Sequence, residues 1–122
     1  MDLSQAIATA FADYPQGTVS SLEEKNVWTI GLSGSIDMRF AKDLQAFLIL
    51  VIDHMETDMK LVCDMRKVDY ICSMGVGTFV NVLVNAKKRN ITFLLKDMQP
   101  KVKGIFELLG FLSFFVEAGD HA

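Results

Sequence analysis

The sequence predicts a single α/β domain with a mixed, mostly parallel sheet of about four to five strands, an N-terminal hairpin and three or more helices. The 122 residues fit one domain, and 51% hydrophobic with 22% charged residues is a globular composition. After a predicted hairpin, the pattern alternates as helix, strand, helix, strand, helix, strand. Such alternation indicates parallel strands joined by right-handed crossovers, with helices packed on the sheet.

The first half of the chain is predicted to hold a hairpin and one long helix. Residues 3–13 form either a short helix or a flexible leader, which Tyr14-Pro15 ends. The strands of the hairpin are expected at 16–22 and 27–32, with a polar turn at 23–26 and a break in the pattern at 31–34. Asp37 can cap a helix over about 38–55, whose apolar residues recur at helical spacing.

The second half of the chain is predicted to continue the alternation of strands and helices. Its predicted elements are extended segments at 61–65 and 68–71, a helix over about 74–89 with Asn90 as a left-handed cap, a strand at 91–95, a helix from Pro100 to Gly110, and a last strand at 114–117. We expect the domain to span residues 16–118, between an N-terminal leader (1–15) and a polar tail (119–122).

Charge and hydropathy exclude several classes of partner. The net charge of −3 argues against direct binding to nucleic acid, which needs a concentrated basic face. The chain opens without a basic signal region, and its longest apolar run, residues 46–52, is too short to cross a bilayer. We therefore expect a cytoplasmic protein with no direct contact with a membrane.

The residues do not assemble an active site. His54 and His121 are the only histidines, and neither has a cysteine or second histidine at metal-ligand spacing. We therefore predict no metal, no cofactor and no catalytic residue. Cys72, ahead of a predicted helix, is either a tolerated small residue or a reactive thiol, and the latter keeps open an enzyme or small-ligand binder.

The most informative stretch is the end of a strand at residues 69–72, followed by Ser73 and an amphipathic helix. Ser73 lies where unpaired amides and the positive end of the helix dipole face outward, so it is either a simple N-cap or a hydroxyl that acquires negative charge. Gly75 and Gly77 indicate close approach, by a neighbouring strand or by a partner. A nucleotide loop is disfavoured, because a third glycine and a Gly-Lys-Ser/Thr motif are absent.

The chain resembles the STAS domain, the fold of bacterial anti-sigma factor antagonists, over residues 16–118. The resemblance rests on the order of elements and on four local matches. These are residues 27–37 (VWTIGLSGSID), 61–65 (LVCDM), 72–77 (CSMGVG, against Asp-Ser-Ser-Gly-Leu-Gly) and 108–111 (LLGF).

The resemblance implies a function in transcription regulation. In that family the first serine of the signature is phosphorylated by a partner kinase, which is itself the anti-sigma factor, and phosphorylation breaks their complex. Ser73 matches that serine. Cys72 replaces the family's aspartate, Met74 its second serine, and Ser35 a common glutamate in the earlier turn.

We therefore predict an anti-sigma factor antagonist that is a monomer or weak dimer and is switched at Ser73 by an anti-sigma factor serine kinase. The expected partner surface comprises Ser35, Asp37, Cys72, Met74, Gly75, Val76 and Thr78. The substitutions at Cys72 and Met74 keep an alternative open, a STAS scaffold or transporter-associated module that binds without being phosphorylated.

Overall fold

A computed structural model describes residues 1–115 of the chain. The elements, in chain order, are α1 (Leu3–Ala10), β1 (Val19–Glu23), β2 (Val27–Ile36), α2 (Met38–His54), β3 (Lys60–Ile71), α3 (Ser73–Lys88), β4 (Thr92–Lys96), α4 (Pro100–Leu108) and a 3-10 turn (Leu112–Phe114).

The four strands of the described residues form one mixed sheet in the order β1-β2-β3-β4. β1 and β2 pair antiparallel as the predicted hairpin, whereas β3 is parallel to both β2 and β4. The predicted mixed, mostly parallel architecture is confirmed. Because the two crossovers share one hand and run in one direction along the sheet, α2 and α3 lie side by side on the same face.

β2 is longer than predicted, and the expected break at residues 31–34 was wrong. The strand continues to Ile36, with shifts in its register to β3 between Gly31 and Ser33 and again between Gly34 and Ser35. Gly34 has a φ of +87°, which glycine adopts without strain. The glycine-rich stretch, whose local sequence is typical of a turn, is thus accommodated within the strand by β-bulges. β3 is likewise one unbroken strand.

The core lies between the sheet and the pair α2 and α3. Ile30 of β2, Leu61 of β3 and Phe79 of α3 are fully buried in it. Asp37 caps α2 as predicted, since its carboxylate accepts a hydrogen bond of 2.9 Å from the amide of Phe40. The start of α2 is thereby held at the same end of the sheet as the start of α3.

Residues 3–13 were predicted to form either a short helix or a flexible leader, and the structure has a helix there, α1. Leu3 is fully buried and Phe11 is 6% exposed, so this segment belongs to the hydrophobic core. The hydroxyl of Tyr14 donates a 2.7 Å hydrogen bond to Asp43 of α2, and the guanidinium of Arg39 lies 5.0 Å from the centre of its ring. Burial and the Asp43 carboxylate raise the pKa of Tyr14 to about 12.

The C-terminal elements are confirmed up to Gly110. Asn90 has the left-handed backbone predicted for it, with a φ of +57°, and Pro100 is the first residue of α4. The last predicted strand, residues 114–117, is wrong at its first two residues, because Phe114 closes the 3-10 turn and Phe115 caps it outside any strand. The rest of that strand, residues 116 and 117, and the tail at 119–122 lie outside the described residues.

Candidate functional site

Ser73 is exposed at the point where β3 leads into α3. Cys72 has extended backbone and is the N-cap, so Ser73 is the first helical residue and not the cap itself. The amide of Cys72 donates a 3.0 Å hydrogen bond to the carbonyl oxygen of Ile36, which ties this connection to the end of β2. The hydroxyl of Ser73 makes no hydrogen bond within residues 1–115, so it is presented directly to solvent.

The backbone around Ser73 offers unpaired donors. The amides of Gly75 and Val76 donate to the carbonyl oxygen of Cys72, at 3.0 and 3.2 Å. The amides of Ser73 and Met74 have no acceptor among the described residues, and the Cys72 side chain accepts no capping hydrogen bond. Together with the helix dipole, these two amides make the surroundings of the Ser73 hydroxyl electropositive.

Three residues predicted to contact a partner are instead interior positions. Val76 is fully buried, and Thr78 is 2% exposed with its hydroxyl donating to the Ala41 carbonyl at 3.1 Å. A Cβ on Gly75 would lie 2.7 Å from Cγ1 of Ile71, so the space at this glycine is filled from inside the domain. These residues hold the start of α3 in place and do not offer side chains to a visitor.

The predicted residues from the β2 end lie at the same edge of the sheet. Ser35 is exposed, pairs in register with Tyr70 and lies with its hydroxyl 3.4 Å from the carboxylate of Asp69. Asp37 is exposed too, but its carboxylate is engaged in capping α2. Ser35 is therefore available to a partner, whereas Asp37 acts mainly by placing the start of α2.

The structure adds two residues that the sequence analysis did not include, Met38 and Tyr70. Met38 opens α2 and is 63% exposed, Tyr70 near the end of β3 is 53% exposed, and Met74 is 47% exposed. Three large apolar side chains thus lie at the Ser73 end of the domain. The positions of these residues in the sequence could have indicated this, because the C-terminal ends of parallel strands and the starts of the helices that follow them meet at one edge of the sheet.

The exposed face of α3 carries no charge before its last turn, where Lys87 and Lys88 are exposed. From Tyr70 to Ala86 the sequence has no acidic or basic residue, whereas α2 exposes Arg39, Lys42 and Asp53. Such a helix face is unusual in a chain with 22% charged residues, because exposed helix faces normally carry charge. The side chains that follow Ser73 along α3 are therefore uncharged, and some are apolar, as far as Ala86.

Both cysteines belong to the β3 region, Cys63 within the strand and Cys72 directly after its last residue. Burial raises the pKa of the Cys63 thiol, and Cys72 is half-buried. Among residues 1–115, no cluster of three or more His, Cys, Asp or Glu side chains is placed to hold a metal ion. In the same part of the chain, no helix has both the length and the apolar character needed to span a membrane.

Comparison with known proteins defines the class of this chain. The sequence pattern of the STAS domain matches residues 19–121, and the chain belongs to the STAS domain family. It is 31% identical over 89 residues to BtrV of Bordetella bronchiseptica, whose given name is that of a putative anti-sigma factor antagonist; the match covers 73% of this chain and 75% of BtrV.

Solved structures share the fold. The unphosphorylated anti-sigma factor antagonist SpoIIAA matches with a TM-score of 0.69 and 16% identity, over 82% of this chain and 87% of SpoIIAA. The phosphorylated form of SpoIIAA from Bacillus matches with a TM-score of 0.64 and the same 16% identity, over 82% and 90%. The STAS domain of a SulP transporter from Vibrio cholerae matches with a TM-score of 0.59 and 13% identity, over 92% and 82%.

Proposed function

We propose that this protein is a cytoplasmic anti-sigma factor antagonist whose binding to an anti-sigma factor is switched by phosphorylation of Ser73. The observation that carries the proposal is the exposed Ser73 hydroxyl, which opens α3 beside two unpaired backbone amides. The similarity to BtrV and the shared fold with SpoIIAA support the antagonist class. The chain performs no reaction in this proposal, since it is the substrate of its partner's kinase activity.

The domain can accept a phosphate on Ser73 without losing its fold. The phosphate adds a charge of about −1.5 to −2 at neutral pH. The free amides of Ser73 and Met74 lie next to it, and the positive end of the helix dipole favours it. The side chain is already in solvent, so no desolvation cost arises within the unbound domain.

Phosphorylation of Ser73 is expected to have the opposite effect on the complex with the partner, which it destabilises. A partner that covers Ser73 also covers exposed apolar side chains at the starts of α2 and α3, those of Met38 and Met74. A phosphate enclosed there loses its hydration and finds no lysine or arginine between Tyr70 and Ala86. Arg39, which follows Met38, is engaged with Asp13 and with the ring of Tyr14. Phosphorylation therefore favours the free antagonist over the complex.

The test is phosphorylation by a purified anti-sigma factor kinase of the same organism with ATP, followed by mass spectrometry. We expect one phosphate, located on Ser73, and loss of complex formation in the modified protein. Ser73→Ala should bind constitutively, and Ser4→Ala serves as the matched control because it removes an exposed serine of α1, outside the predicted partner surface. Phosphate on other residues, with normal regulation in Ser73→Ala, contradicts the switch.

A second candidate is a STAS scaffold that binds its partner without being phosphorylated. It is favoured by Cys72 and Met74, which stand where the resemblance implies aspartate and serine, and by the fold shared with a transporter STAS domain. It predicts stable binding to an assembly or transporter subunit that Ser73→Asp leaves intact. Binding measurements on Ser73→Asp therefore separate the two candidates.

A further inference from the structure

Gly77 is a glycine that the fold of this domain does not require. It is the fifth residue of α3, is half-buried, and a Cβ built on it would meet no heavy atom within 4 Å. Glycine is disfavoured in a helix interior, where only proline is worse. Gly75 has a reason inside the domain, the close approach of Ile71 and Ile36, whereas Gly77 has none.

The surface at Gly77 has no side chain, and a Cβ there would have open space beside α2. Gly77 follows Ser73 by one helical turn and precedes Asn81 by another, and the Asn81 amide donates to Gln45 of α2 at 3.1 Å. This bond lies on the side of α3 that faces α2, so the bare backbone at Gly77 is open next to the first turns of both helices. Met38 and Met74 are exposed on those first turns.

We propose that Gly77 is where the partner approaches α3 most closely: an uncharged, apolar segment of the anti-sigma factor lies across the first two turns of α3, against the backbone of Gly77 and between Met38 and Met74. The apolar character of the segment follows from the exposed side chains of Met38 and Met74 and from the absence of charge between Tyr70 and Ala86. Asp37 and Arg39 are the exposed charges that flank Met38 in the sequence. The inference rests on the proposed function. It adds that the missing side chain at Gly77 allows the partner's chain to come close to Ser73.

Gly104 is a matched control. It too is the fifth residue of its helix, α4, and a Cβ built on it would also meet no heavy atom within 4 Å. Alanine at either position should favour the helix to a similar extent. Only at position 77 should the added methyl group obstruct the partner.

The experiment compares Gly77→Ala, Gly104→Ala and the unaltered protein in urea unfolding and in calorimetric titration with purified anti-sigma factor kinase of the same organism. We expect both variants to unfold at higher urea concentration. Gly77→Ala should bind about ten-fold more weakly or worse, as overpacking of a close contact implies, whereas Gly104→Ala should bind normally.

Each result decides the inference. Binding of Gly77→Ala at the unaltered affinity overturns it, and so does a loss of stability in that variant, because the glycine would then be a requirement of the fold. Failure of the unaltered protein to bind the kinase overturns the proposed function and this inference together. Normal binding of the unaltered protein with no effect at position 77 overturns the inference alone.

Discussion

A Cβ on Gly75 would lie 2.7 Å from Cγ1 of Ile71 and 2.9 Å from Cγ2 of Ile36, two side chains that are 2% and 1% exposed. Neither atom is the free end of a flexible side chain, so Gly75→Ala forces the start of α3 away from the ends of β2 and β3. Overpacking typically costs about 1–3 kcal/mol, while the gain in helix propensity is about 1 kcal/mol. We expect a net loss of stability, measured by urea unfolding.

Gly104→Ala is the reference for that experiment, since its Cβ has open space and only the propensity gain remains. The two variants should shift the unfolding midpoint in opposite directions. Equal stabilisation by both would show that the Ile71 and Ile36 side chains move aside at little cost.

A second prediction concerns how the N-cap residues of α2 and α3 affect the stability of the domain. Asp37 caps α2 through its carboxylate, but Cys72 has the extended backbone of a cap residue and makes no side-chain hydrogen bond. Cys72→Asp should therefore stabilise the domain by about 1 kcal/mol, and Asp37→Ala should destabilise it by about as much. Chemical denaturation measures both changes. Cys72→Ser separates capping from charge, and destabilisation by both Cys72 variants contradicts this account.

Most of the fold follows from patterns that are local in the sequence. The alternation of helical and extended segments predicted the parallel strands, and the cap at Asp37 and the left-handed Asn90 marked helix ends. The continuation of β2 through residues 31–36 was missed, because bulged pairing depends on β3, which lies some thirty residues away. The N-terminal helix stayed undecided for the same reason, since its packing depends on residues such as Asp43.

The candidate site shows the same difference between features that depend on local sequence and features that depend on distant contacts. The exposure of Ser73 was predictable, because it depends only on a strand ending and a helix starting. The burial of Thr78 depends on its hydrogen bond to Ala41, and the exposure of Met38 near Ser73 depends on two helices sharing one edge. Local spacing does not show which side of α3 faces α2, so Thr78 was predicted to lie on the partner surface.

The contact between Tyr14 and Asp43 gives a pH-dependent prediction. The pKa of Tyr14 is about 12 in the folded protein, against 10.0 for the ordinary side chain, because burial and the Asp43 carboxylate disfavour the phenolate. Between these values the unfolded chain loses a proton that the folded chain keeps, so stability falls as pH rises from about 10 to 12. Below pH 10 the contribution is complete.

Tyr14→Phe removes the titrating group together with its hydrogen bond. We expect this variant to lose about 1 kcal/mol at neutral pH, the typical value of one such bond. The difference in melting temperature between the two proteins should shrink as the pH rises above 10. A constant difference up to pH 12 contradicts a pKa set by Asp43 and burial.

The last prediction separates the stability of the domain from the binding of its partner. Ser73→Asp places a negative charge at the first residue of α3, where the amides of Ser73 and Met74 are unpaired. Such a charge typically stabilises a helix by about 0.3–1 kcal/mol, and salt screens the effect. We therefore expect Ser73→Asp to unfold at a slightly higher urea concentration at low ionic strength, and at nearly the unaltered concentration in about 1 M salt. The isosteric Ser73→Asn controls for size. If Ser73→Asp instead destabilises the domain at low salt, loss of partner binding on phosphorylation would reflect damage to α3 and not repulsion at the interface.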